Sequence, residues 1–311
     1  MTIFAEPLGR VLDRLNLPVK AAYQVERAIR IVADPINYRR RAAEGRAIAR
    51  DTPWTSFIDR RKGYAVFGPE MLPGAERVVS VCQEIFTKFL AGEGRGLERV
   101  RKNFFVNILE AQALEDHPEL LDFVLSAPVV EAVAAYLDTL PLLRGVGIYY
   151  SRNNESTESS QLFHTDYDDF HQIKCFINVN DVDQDGGPFT LLPADTSVRV
   201  RGQLDHGWRD RRLSDQEVFE HCNPDDVVTL AGPAGSGGFV DTSNCLHFGS
   251  RVRGRDRIVF MFQYTTYPNV GLDNAAYTGQ EGLPLYRFPI GRFTHDPLKQ
   301  ALLRPRAGKL A

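Results

Sequence analysis

The chain has little cysteine, and none of it is paired in sequence. Cys82, Cys175, Cys222 and Cys245 are scattered over 311 residues. They form no C-x-x-C pair and no zinc-like spacing, which excludes a zinc knuckle and a disulfide-stapled scaffold and predicts reduced, mostly buried thiols. No uninterrupted apolar run reaches the ~18 residues that a membrane span needs. Glu6 and Pro7 stand where a secretory signal needs a basic and then an apolar run. Nor is one sign of charge in excess: 37 Lys and Arg against 40 Asp and Glu give a net charge of −3, so bulk attraction to nucleic acid is not expected. Internal repeats and low-complexity tracts are also missing. From these absences a soluble, cytoplasmic protein is expected, with neither nucleic acid nor membrane as a partner. Oligomeric state is not legible at this level.

What is present falls into two textures within a single domain. Residues 1–140 read as a helix-rich support. Leu8, Val11, Leu12 and Leu15 recur at helical spacing, as do residues of 21–33, so helices are predicted over 8–50. The basic run Arg39, Arg40, Arg41, Arg46 and Arg50 reads as a solvated helix face. A short strand is expected at 63–68 and a helix after Pro73-Gly74. Two helical stretches broken at Pro128 are expected over 120–140. Residues 141–268 change to short β-branched and aromatic runs between Gly, Pro, Asn and Asp turns. These runs are 142–151, 173–179, 189–193, 227–230, 238–241 and 258–265. The fold class is therefore mainly β with flanking helices (α+β), its strands spaced as in a sandwich or barrel. An insertion at about 201–225 holds the capping-box sequence Ser214-Asp215-Gln216-Glu217. Residues 269–311 form a C-terminal extension.

The chemistry centres on His164-Thr165-Asp166. On a strand, positions i and i+2 project to one face, so an imidazole and a carboxylate can grip one metal ion. Two histidines and one carboxylate on one face of an octahedron leave three positions open, as an iron(II) oxygenation site requires. His247 is the candidate third ligand, since it follows a strand-and-turn roughly 80 residues downstream. His117, His171, His206, His221 and His295 read as surface or packing residues. Asp241 resembles a ligand by type but also fits a cap for the turn before His247. Ten residues after His247, Arg257 opens a strand. A buried guanidinium there needs an anionic partner, and its planar fork fits a carboxylate. Arg251, Arg253 and Arg255 are its neighbours and rivals. Lys174 shares a strand face with Phe176 and Asn178 and either binds a carboxylate or snorkels to solvent. Gln161 and Tyr149 (or Tyr150) are further candidates for the co-substrate pocket.

As an ordered set, His164-Thr165-Asp166, the stretch 185–193 (DGGPFTLLP), His247 and Arg257 resemble the phytanoyl-CoA dioxygenase family. The segments 61–67 (RKGYAVF) and Pro73-Gly74 are similar to that family's entry strand and helix, so the likeness spans about residues 58–267. The resemblance implies a double-stranded β-helix (jelly-roll, cupin-like) core. It also implies iron(II), 2-oxoglutarate and O2, with oxidative decarboxylation to succinate and CO2 and, as a rule, substrate hydroxylation. His164, Asp166 and His247 match the metal ligands, and Arg257 matches the arginine that holds 2-oxoglutarate. Asp166 occupies the place that related halogenases leave small for halide, which points to oxygenation, with desaturation, cyclisation and epimerisation as other outcomes. Two departures, Ala194-Asp195-Thr196 in place of a Gly-Ser-His after Pro193 and Phe163 in place of a tryptophan, keep every ligand and bear on substrate shape. A cupin-like metal enzyme without 2-oxoglutarate, or a non-catalytic binding protein, would be the other readings. Residues 153–160 (NNESTESS) and the insertion are expected to border the mouth of the pocket. Arg199, Arg201, Arg209, Arg211 and Arg212, which cluster around the insertion, read either as a solvated loop or as an attractor of phosphate, carboxylate or coenzyme A.

Overall fold

A computed structural model describes residues 19–93, 104–154, 156–206, 211–269 and 290–304. The periodic leucines of 8–15, Arg209 and most of the C-terminal extension lie outside the described residues. Two helices, α1 (Val19–Ala33) and α2 (Pro35–Ile48), precede strand β1 (Tyr64–Phe67). Helix α3 (Ala75–Lys88) opens behind Gly74, whose φ of 87° suits glycine. A two-residue strand, β2 (Val106–Asn107), leads into α4 (Ala111–Asp116), α5 (Pro118–Val124) and α6 (Ala127–Leu137). Pro128 was expected to break a helix. Instead it sits in the first turn of α6, where its missing N–H has no partner to lose, and the break falls at Leu125–Ser126. By length and composition the stretch 118–137 would reach across a membrane, with hydropathy 1.7, yet 67% of it is buried within the fold. It is the floor under the sheet.

The remaining elements are β3 (Leu142–Ser151), β4 (Gln172–Asn178), β5 (Thr190–Leu191), α7 (Ala194–Gln203) and α8 (Asp215–Phe219). After them come β6 (Val228–Thr229), β7 (Gly237–Asp241), β8 (His247–Phe248), β9 (Arg257–Thr265) and α9 (Pro297–Leu303). They build two antiparallel sheets, one ordered β1-β7-β4-β9-β3-β2 and one ordered β6-β5-β8. Single bridges Phe163↔Leu213 and His164↔His247 widen the smaller sheet by two further passes of chain. The architecture is thus α+β, as the strand and helix textures predicted.

Alternation along the strands decides what each face meets. Ile148, Tyr150, Cys175, Ile177, Phe260, Phe262 and Tyr264 point from the large sheet into the core made with the helices. Their neighbours Tyr149, Phe176, Val259 and Met261 point the other way, into a second cluster with Leu191 and Val240. The outer face of the small sheet, Phe163, Leu192, Leu213 and Leu246, is covered by Val200 of α7 and Val218 of α8. Each fully buried side chain of this kind contributes about 1.5–3 kcal/mol by leaving water.

Arg41 departs from the expected solvated basic face. It is fully buried, and its guanidinium donates to the carbonyls of Leu140 (3.0 Å), Pro141 (2.9 Å) and Ala301 (2.8 Å). One side chain therefore joins α2, the lead-in to β3 and α9, and burial lowers its pKa to about 10. Only tertiary structure distinguishes it from its charged neighbours Arg39 and Arg40.

Candidate metal centre

His164 and His247 face each other as a hydrogen-bonded antiparallel pair. The His164 amide donates to the His247 carbonyl at 3.0 Å, and the reverse bond is 2.9 Å. Two opposed residues of such a pair project to the same face, and the two rings lie 4.3 Å apart. Two residues on, the Asp166 amide donates to the Thr242 carbonyl at 2.9 Å. The sequence pattern predicted a regular strand here. The pairing is shorter, because the neighbouring chain turns away where Asn244 and Cys245 both donate to the Asp241 carbonyl. Extended geometry across residues 164–166 is enough to bring the side chains together. One ligand atom from each of His164, Asp166 and His247 lies within 4.8 Å of the others, with His164 Nε2–Asp166 Oδ1 at 3.9 Å and His247 Nε2–Asp166 Oδ2 at 3.6 Å.

Both rings are oriented by the main chain. His164 Nδ1 lies 2.8 Å from the Leu162 carbonyl and His247 Nδ1 2.9 Å from the Cys245 carbonyl. A carbonyl can only accept, so Nδ1 carries the proton and Nε2 presents its lone pair inward. Burial, reinforced by the proximity of the other ring, holds His164 well below the ordinary histidine pKa; burial likewise lowers His247. Burial alone would raise the Asp166 carboxyl. The Lys174 ammonium, then the two imidazoles and the Thr242 hydroxyl, outweigh it and hold the group well below the usual carboxylate range. Lys174 Nζ lies 3.0 Å from Asp166 Oδ2, yet that oxygen makes no hydrogen bond of good geometry and is buried. The donor set is therefore one carboxylate and two neutral imidazoles, with a buried oxygen left for a cation. That set fits a divalent transition metal.

The cluster opens onto a cavity of about 630 Å³, counting its mouth, with Tyr149, Lys174, Phe176, Met261 and Arg257 in its wall. Arg257, Val259 and Met261 alternate inward along β9, and Phe105 stacks on Tyr149 at 4.4 Å. The Arg257 side chain is 3% exposed, its buried Nε lacks a hydrogen-bond partner, and among the described residues it has no ion-pair partner; burial lowers its pKa to about 10. Its three neighbours do not share this situation. Arg251 is held by both oxygens of Asp215 at 2.7 Å, and Arg253 and Arg255 face solvent.

The other sequence-nominated residues divide. Lys174 and Tyr149 stand in the cavity wall. Gln161 does not, because its amide organises the preceding loop. It donates to Asn154 Oδ1 and the Ser250 carbonyl and accepts from Ser156 Oγ and the Glu158 amide. Of that loop, Ser160 borders the cavity, whereas no described residue of the insertion does. The insertion packs over the outer face of the small sheet instead, since Leu213 and Val218 need the apolar cover found there. Asp241 is a turn cap, accepting from Tyr136, Asn244 and the Ser243 amide. Asp169 was not singled out at all. It is buried and accepts from Arg27 of α1 and from the Thr266 amide and hydroxyl. Nothing local in the sequence marks a carboxylate that ties an N-terminal helix to the end of β9.

His171 gives the site a pH-dependent neighbour. Its Nδ1 lies 2.8 Å from Asp241 Oδ2, and that bond raises its pKa against the opposing effect of burial. A raised folded-state value stabilises at low pH, and the contribution fades as pH climbs through and above the ordinary 6.5. His171→Gln is expected to be less stable than wild type in denaturant titrations at pH 5, with the gap closing by pH 8. The side chain is 58% exposed, so solvent screening keeps the effect small. A gap that widens toward pH 8 would show that the Asp241 contact is not what sets it.

No protein-family model matches the chain, and no curated protein matches it in sequence. Among solved structures it is similar to SnoK, a non-haem alpha-ketoglutarate-dependent carbocyclase from nogalamycin biosynthesis. The two are 18% identical over 76% of this chain and 94% of that one, with a TM-score of 0.47. It is also similar to EctD from S. alaskensis with bound iron, 11% identical over 70% and 77% of the respective chains, TM-score 0.48. HygX from Streptomyces hygroscopicus, with nickel and 2-oxoglutarate bound, is 15% identical over 75% and 96%, TM-score 0.45. At these scores the chemistry of the present chain rests on its own residues.

Proposed function

We propose that the chain is an iron(II)- and 2-oxoglutarate-dependent dioxygenase acting on a small organic molecule, built on a double-stranded β-helix of the phytanoyl-CoA dioxygenase kind. One observation carries this reading. Two buried histidines with a half-buried carboxylate, and a buried guanidinium with no anionic partner among the described residues, stand in the same cavity wall. Bound iron(II), with 2-oxoglutarate and O2, supplies oxidative decarboxylation to succinate and CO2 coupled to oxidation of the substrate.

The chain's own residues would prepare that chemistry. His164, Asp166 and His247 would hold the metal, with both imidazoles kept neutral by burial and turned by main-chain carbonyls. Arg257 would receive the far carboxylate of 2-oxoglutarate in two parallel hydrogen bonds, which relieves an otherwise costly buried charge. Lys174 would balance Asp166 and add a second cation for the dianion. Phe105, Tyr149, Phe176 and Met261 would keep water from the reacting centre. Protein loaded with iron(II) should release succinate from 2-oxoglutarate in air, and a chelator should stop it. Metal-loaded protein that neither binds 2-oxoglutarate nor releases succinate would rule the reading out.

A further inference from the structure

The inward row of the large sheet is apolar where Phe176, Val259 and Met261 stand. Two glutamines interrupt it. Ile173 and Cys175 of β4 point into the helix-side core, so Gln172 shares the opposite face with Lys174 and Phe176. Gln263 is the next inward residue of β9 after Met261. Gln172 is fully buried and Gln263 is 5% exposed. A buried amide costs free energy unless it is hydrogen-bonded, so packing alone would favour leucine or methionine at both places.

Their hydrogen bonds run in one direction. Gln263 Nε2 donates to Asp168 Oδ2 at 2.9 Å and to Gln172 Oε1. Both of those oxygens can only accept, which leaves the Gln172 amide nitrogen to face Thr242 Oγ1 at 3.0 Å. An amide nitrogen can only donate. The Thr242 hydroxyl therefore accepts from Gln172, and its own proton turns to the Asp166 carboxylate. Thr242 is fully buried and is fixed beside that ligand by the main chain, where its carbonyl accepts from the Asp166 amide at 2.9 Å. Reversing the Gln172 amide would set its oxygen against Thr242 and draw the hydroxyl proton away from Asp166.

We propose that Gln172 is a positioning residue for the metal centre, which turns the Thr242 hydroxyl onto Asp166 and so fixes the direction in which that carboxylate faces His164 and His247. The inference rests on the reading of those three residues as metal ligands. The Gln172 amide bonds Thr242 rather than a ligand, so it acts through that hydroxyl. Outer hydrogen-bond partners of this kind orient a ligating carboxylate, and losing one costs roughly 10- to 100-fold in metal affinity.

The test measures nickel(II) affinity by calorimetric titration, together with the visible spectrum of the cobalt(II)-loaded protein, which reports how the ligands are arranged. Gln172→Met and Thr242→Val nearly keep the shapes of the side chains. Each should weaken nickel(II) binding about 10- to 100-fold and shift the cobalt bands. Thr242→Ser keeps the hydroxyl and should bind like wild type. The double variant should bind no more weakly than the worse single one, because both changes break the same link. Gln172→Glu keeps the shape but presents only acceptors to Thr242, so its cobalt spectrum should also differ from wild type. It decides the matter where melting curves show that Gln172→Met does not fold. Wild-type affinity and spectrum in the Gln172 variants, equal losses in Thr242→Ser and Thr242→Val, or losses that multiply in the double variant overturn the proposal. Failure of the metal reading is distinct: wild type then binds no nickel(II), or His247→Ala binds it as tightly, and the positioning role falls with it.

Discussion

Replacing His247 by alanine is expected to lower affinity for divalent metal by more than about 100-fold while leaving the fold standing. Loss of an outer hydrogen-bond partner of a ligand costs roughly 10- to 100-fold, and loss of the ligand itself must exceed that. The fold survives because the contacts that place this residue are main-chain ones. Its amide and carbonyl bond to His164 whatever the side chain. What disappears is the Nε2 lone pair, together with ring packing on Phe189 at 5.1 Å. Removing it leaves Asp166 beside a single imidazole, with Lys174 at 3.0 Å as the remaining counter-charge. His171→Ala is the matching control, because that ring sits on Asp241 and outside the cluster. Nickel or iron titration of the three proteins, with melting curves beside it, separates the outcomes. Equal metal affinity in wild type and His247→Ala would dismiss the centre.

The metal cluster could be read from sequence because its logic is local and then topological. An imidazole and a carboxylate at i and i+2 are obvious in His164-Thr165-Asp166, and only one histidine followed a strand and a turn far enough downstream. The strands were legible for a similar reason. β3 appears with the limits expected, and β9 begins one residue earlier than expected, at Arg257 itself. Long alternating runs carry their own signal, whereas two-residue strands such as β2 and β8 exist only because a partner passes by. Helix α7 was invisible for another reason. Its sequence, ADTSVRVRGQ, has β-branched residues and a glycine, and it is helical because Ser197 and Val200 are buried against the small sheet. Arg41 and Asp169 show the limit most plainly. A buried charge held by distant carbonyls or amides looks identical in sequence to one that faces water. Gln161 erred in the opposite direction: nearness in sequence to His164 placed it at the pocket, but its amide is consumed by the loop.

Arg257→Ala is expected to raise the 2-oxoglutarate dissociation constant by roughly 30-fold to several thousand-fold, the equivalent of about 2–5 kcal/mol for a desolvated bidentate pair. Metal affinity should stay near wild type, since Arg257 contributes no ligand. The free protein adds a second, opposite sign. A guanidinium buried at 3% exposure with no partner among the described residues is a destabilising feature until an anion reaches it. Arg257→Met keeps the volume and removes the charge, so the ligand-free variant is expected to melt no lower than wild type. Adding 2-oxoglutarate to the metal-loaded proteins should then raise the melting temperature of wild type and not of the variant, because a ligand stabilises only the state that binds it. A purely structural arginine would behave in the reverse way, with a lower melting point in the free variant and an unchanged response to ligand. Arg251→Met is the contrasting case, since Arg251 is already held by Asp215 and stacked over Phe248 at 3.5 Å. It should lose stability without losing the 2-oxoglutarate response. If Arg257→Met kept that response and Arg251→Met lost it, the co-substrate arginine would be reassigned to Arg251.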